Sequence, residues 1–176
     1  MRRTARLLPP ALALLLLTAC TTPAPMPTLP PTPDADPVFA SDEEALAAAE
    51  EAYGKYLTAV ATVLADGGSQ PERLEPFLTA DLYAQELPAY EELQEQGWKG
   101  VGTYSFAMTP QDVDASSGDI AVYVCDDRSN LDIVDETGNS VVDPGRPDRA
   151  ASEVLFVWNG GLRIAAQTSW DGGGVC

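Results

Sequence analysis

Asp119-Ile120-Ala121-Val122-Tyr123-Val124-Cys125-Asp126-Asp127 alternates with a period of two, setting Ile120, Val122 and Val124 against Ala121, Tyr123 and Cys125. Successive side chains of a β-strand point to opposite faces, so this pattern predicts a strand with one face on a core. Trp98 to Met108 repeats it, with Gly102, Tyr104, Phe106 and Met108 against Val101, Thr103, Ser105 and Ala107. Val154, Phe156 and Trp158 continue in kind, turn at Asn159-Gly160-Gly161, and return through Leu162, Ile164 and Ala166 toward Trp170. Asn-Gly between apolar alternations is a strong hairpin signal. Between the second and third long strands, Asp126 to Arg149 is rich in Asp, Gly and Pro. It reads as a loop with a small hairpin of Leu131–Val134 against Ser140–Val142.

Upstream of Gly97 the period is 3.6 instead. Ser41 with Glu44 forms a capping box, and Asp42, Glu43 and Glu44 suit the positive end of a helix. Leu46, Ala49, Tyr53, Tyr56, Leu57, Val60, Val63 and Leu64 recur at three- to four-residue spacing, up to a stop at Asp66-Gly67-Gly68. Tyr53 and Tyr56 read as core residues of that helix. Pro71 opens a short turn through Leu74, Phe77 and Leu78, and Thr79 caps a further helix from Ala80 to Gln96. Pro88 lies inside it, which predicts a kink or a break. Helices followed by a meander of strands predict an α+β domain over residues 41–176, its N-terminal helices packed on one face of a curved antiparallel sheet.

The chain opens differently. Arg2, Arg3 and Arg6 precede an apolar stretch, Leu7 to Leu17, that is too short to span a bilayer of roughly 30 Å as a helix. Leu17-Thr18-Ala19-Cys20 resembles the lipobox of bacterial lipoproteins. That resemblance implies a signal peptide over 1–19, cleavage before Cys20, and a diacylglyceryl group on its thiol. The protein would then sit on the extracytoplasmic face of the cell membrane, held by two or three acyl chains, and its partner there is the membrane itself. Residues 20–40 form a linker carrying Pro23, Pro25, Pro27, Pro30, Pro31, Pro33 and Pro37, a composition that favours an extended spacer of roughly 60 Å.

All 27 acidic residues follow position 33, and three of the ten basic ones belong to the signal. The mature chain has seven basic against 27 acidic residues, a net charge of −20. Nucleic acid is excluded as a partner, because phosphate contacts need the opposite sign. With no histidine in the chain, Ser-His-Asp and Cys-His catalysis and His-ligated zinc are excluded too. No cofactor or metal motif is present. Asp132, Asp135 and Glu136 lack EF-hand spacing, and the glycine runs lack a following Lys-Ser/Thr. Once Cys20 is assigned to lipid, Cys125 and Cys176 remain as one pair in an oxidising compartment, which predicts a disulfide.

Helix, short helix, helix, then a sheet ending in a Val154–Trp170 hairpin resembles the cone-shaped fold of the nuclear transport factor 2-like (ketosteroid isomerase-like) superfamily. The lipobox, Pro/Thr spacer, Ala-rich first helix, Val122–Asp126 strand and C-terminal Cys are similar to those of small bacterial lipoproteins. The superfamily resemblance implies a pocket between sheet and helices, for which Tyr56, Tyr104, Phe106, Tyr123, Asp126 and Trp158 are the candidate lining. No catalytic residue is carried over from it.

The sequence leaves three functions open: an anchored binding domain for a protein partner or a small apolar ligand, an Asp/Tyr acid–base enzyme of isomerase or dehydratase type, or an accessory subunit of an envelope complex. A carboxylate buried beside a tyrosine hydroxyl would favour the enzyme, and an apolar lining the binder. Asp126 is expected to be partly exposed or bonded to nearby backbone, because Asp127-Arg128-Ser129-Asn130 is turn-forming.

Overall fold

A computed structural model describes residues 36–176, so the expected signal peptide, Cys20 and most of the expected linker lie outside the described residues. The first helix, α1, spans Asp42–Ala65. Ser41 caps it through its Oγ, which accepts from the Glu44 amide at 3.3 Å, and the Glu44 carboxylate reaches back to the Ala40 amide at 3.0 Å. A 3₁₀ turn over Pro71–Leu74 leads to α2, Ala80–Gln96, which Thr79 caps and Gly97 ends in the left-handed conformation. The predicted break at Pro88 does not occur, and α2 runs through it. Pro88 is exposed there, so its ring meets solvent rather than a packed neighbour.

Six strands follow: β1 (Lys99–Gly102), β2 (Ser105–Asp114), β3 (Asp119–Asp127), β4 (Leu131–Val134), β5 (Arg149–Trp158) and β6 (Leu162–Ser169). They form two antiparallel sheets, a pair β1-β4 and a four-stranded sheet in the order β2-β3-β5-β6. The chain is therefore an α+β protein, with one disulfide joining Cys125 to Cys176 across 5.3 Å between Cα atoms.

The strand expected over Trp98 to Met108 is in fact two strands in different sheets. Gly102 makes the corner at φ +101°, where a Cβ would stand 1.8 Å from the Asn130 carbonyl oxygen. Only glycine allows that approach. The small hairpin is present as a single bridge, Val134 to Ser140, but β4 takes β1 as its main partner.

Ile120, Val122 and Val124 turn inward from β3, where they meet Val154 and Phe156 of β5. Ala49, Tyr53, Tyr56, Val60 and Val63 of α1 complete the same core. Phe39, just before the helix, is already buried, and its amide donates to the Ala115 carbonyl. Two bulges adjust the sheet. One, at Gln111, lets the edge strand β2 carry Pro110. The other, at Ala165, sets Ala166 opposite Leu155 and Gln167 opposite Val154. A strict alternation from Ile164 would have turned Ala166 inward. The extra residue turns Gln167 inward instead.

Candidate functional site

The inward face of β3 ends in a carboxylate. Asp126 keeps the parity of Ile120, Val122 and Val124 and is 8% exposed. This corrects the expectation of a wet or backbone-bonded strand end. The hydroxyl of Tyr53, on α1, donates to both of its oxygens, at 3.1 and 3.0 Å. Gln167, turned inward by the β6 bulge, donates from Nε2 to the Tyr53 hydroxyl at 3.2 Å. Phe106 of β2 packs edge-on against the Tyr53 ring, with centroids 5.0 Å apart.

A second carboxylate repeats the arrangement one helical turn along α1. Tyr56 donates to Glu86 of α2 at 3.0 and 3.2 Å, and Tyr90 reaches the same carboxylate at 3.5 Å. Glu86 and Tyr90 are four residues apart, neighbours on one helix face. Among the described residues neither Asp126 nor Glu86 enters an ion pair. Tyrosine hydroxyls, not cations, hold both.

Burial raises the pKa of Asp126, and the Tyr53 bond and the Arg128 charge pull it only part of the way back. Glu86 is raised by burial against the bonds from Tyr56 and Tyr90. Burial is also the main cause that raises Tyr53 and Tyr56, followed by the carboxylate each one faces. Tyr104 senses both carboxylates. Burial first and Asp126 second push it up to about 12, while Arg128 and Arg146 act in the opposite sense.

A shallow apolar recess of about 240 Å³ opens beside this cluster. Gly54, Leu57, Thr58 and Ala61 of α1 form one wall, and Thr103, Tyr104 and Phe106 at the start of β2 form the other. Neither Asp126 nor Tyr53 lines it. Both Asp126 oxygens face the Tyr53 hydroxyl.

The six residues nominated from the sequence fall into three places. Asp126, Tyr104 and Phe106, with Tyr56 one turn along α1, belong to the cluster and its recess. Tyr123 lies on the opposite face of the sheet, packed against Trp170 with centroids 4.6 Å apart and the rings tilted by 47°. Trp158 stands at the far end of β5, 43% exposed and edge-on to Phe39. Sequence reasoning nominated neither Glu86, Tyr90 nor Gln167. The four-residue spacing of Glu86 and Tyr90 was a readable signal, whereas Gln167 depends on a bulge that leaves no local mark. Tyr53 is a core residue, as its helical spacing predicts, and it is also the donor to Asp126, which that spacing does not show.

No protein-family model matches the chain, and no curated protein does. Among solved structures the chain is similar to the solution NMR structure of a de novo designed β-sheet protein, at 21% identity over 70% of this chain and 88% of that one. The TM-score is 0.37.

Proposed function

We propose that residues 36–176 form a non-catalytic binding domain for a protein partner, tethered at the extracytoplasmic face of the membrane through lipid on Cys20. The observation that carries the choice of partner is the recess at Tyr104 and Phe106. Its volume of about 240 Å³ is below the roughly 300–1,000 Å³ of small-molecule pockets. It suits one large apolar side chain presented by another protein, the kind of anchor that dominates interface energetics. The net charge of −20 of the mature chain, seven basic against 27 acidic residues, favours a partner with a basic surface around that anchor. The disulfide supports an oxidising compartment, and helices packed on an antiparallel sheet support the likeness to a cone-shaped domain.

Ala61→Trp fills the recess from the α1 wall. The full chain carrying it is expected to lose a partner that wild type retains after crosslinking in cells, with an unchanged thermal unfolding curve. Equal retention by the two forms excludes the recess as the anchor site.

A second reading is favoured by one specific observation: Asp126 is a desolvated carboxylate beside a tyrosine hydroxyl, as an acid–base enzyme requires. Its test is Asp126→Asn. Loss of a measured turnover without loss of stability establishes the enzyme and overturns the binding domain.

A further inference from the structure

The face of the four-stranded sheet opposite α1 is crossed by the chain's own C-terminus. Trp170 leaves the edge strand β6 with its amide donating to the Ala151 carbonyl of β5, and its ring lies on Tyr123 of β3. Val175 and Cys176 then reach Ala107 and Ser105 on the other edge strand, β2. Residues 170–176 are thus a strap laid across the strands. Gly172 presses against the Trp170 indole so closely that a Cβ would lie 2.6 Å from ring atoms.

This strap is fastened in an unusual way. Among the described residues, positions 171–176 enter no hydrogen bond. No residue beyond Ile164 belongs to the buried core cluster. What holds the end of the strap is the Cys125–Cys176 bond. The bond is reachable from its Cys176 side: Cys125 is 8% exposed, whereas Cys176 is exposed, and both line a surface recess of about 250 Å³. Arg149 lines the same recess, paired there with the Asp127 carboxylate at 3.2 Å.

We propose that Cys125–Cys176 is a thiol-exchange site, whose opening by a dithiol unfastens the C-terminal strap while the α1-covered core stays folded. The thiolate of the dithiol attacks Sγ of Cys176, the exposed residue of the pair, forming a mixed disulfide and expelling Cys125 as a thiolate. The second thiol of the reagent then attacks its own sulfur in that mixed disulfide. Cys176 leaves as a thiolate, both cysteines take protons from water, and the reagent departs as its own disulfide. Two electrons have passed to the protein. The strap then keeps the Trp170–Ala151 hydrogen bond and the packing of Trp170 on Tyr123, and its end, freed from β3, comes away from the sheet.

The test treats the full chain with millimolar dithiothreitol in non-denaturing buffer, with alkylation mapped by peptide so that Cys20 does not enter the count. Cys125 and Cys176 are expected to become alkylated together while cooperative thermal unfolding persists at a lower midpoint. Tryptophan emission should shift, and the shift should vanish in Trp170→Phe. A Cys125→Ser/Cys176→Ser double variant should show the same emission and the same cooperative transition as the reduced protein. Resistance of the bond until the domain is denatured overturns the proposal. So does loss of cooperative unfolding in both the reduced protein and the double variant, because the bond would then belong to the core's stability.

Discussion

At the scale of single residues, the unusual choice in the described residues is to bury Asp126, half-bury Glu86, and satisfy both carboxylates with tyrosine. A buried carboxylate without a donor is costly, and each hydroxyl here offsets part of that cost. Tyr53→Phe removes the donor facing both Asp126 oxygens and, with it, the acceptor of the Gln167 amide. It is expected to lower stability by about 1–3 kcal/mol in urea unfolding. It should also move the Asp126 titration upward by NMR, since the Tyr53 bond is what lowers it against burial. A fall in that pKa would contradict the assignment.

The pH dependence follows from the same two carboxylates, because their folded pKa values are raised above the ordinary 3.8 and 4.5. A raised carboxyl binds its proton more tightly in the folded state. The stability it contributes is complete below the ordinary value and is lost as pH rises through the folded one. Asp126→Asn with Glu86→Gln keeps an oxygen in place for the tyrosines and removes both titrations. The double variant should show a flatter decline in stability from about pH 4 upward than wild type. A decline as steep as wild type's would place the titrating groups elsewhere.

At the scale of elements, α2 accommodates a proline that its sequence appeared to forbid. Pro88 has no amide to donate to Ala84, and a proline inside a helix costs about 3 kcal/mol relative to alanine. The helix survives because Thr79 and Gly97 cap its ends and Leu82, Glu86 and Tyr90 tie it to the rest of the protein. Tertiary packing supplies what propensity withholds. Pro88→Ala should therefore stabilise the protein by about 1–3 kcal/mol, measured as a shift in the denaturation midpoint. A neutral or destabilising result would mean that Pro88 sets a bend that the Glu86 contacts need.

At the scale of the whole molecule, attachment is a separate matter from the fold. Cys20→Ser is expected to release the protein from membranes or to leave an uncut precursor, because thioether formation needs the thiol. Mass spectrometry that finds an unmodified mature Cys20 in wild type would remove the anchor from the proposed function. Helix order, both N-caps, the Gly97 stop and the disulfide partners were all legible in the amino-acid sequence, because capping, hydrophobic period and cysteine parity act over a few residues or reduce to a count. Only the tertiary structure decided that Asp126 would be kept dry. That outcome depends on Tyr53, 73 positions earlier, arriving over the strand end. The break at Gly102 and the inward turn of Gln167 were also decided there. Both arise where one backbone must fit against another: the Asn130 carbonyl leaves no room for a side chain, and a single unpaired residue in β6 reverses every side chain after it.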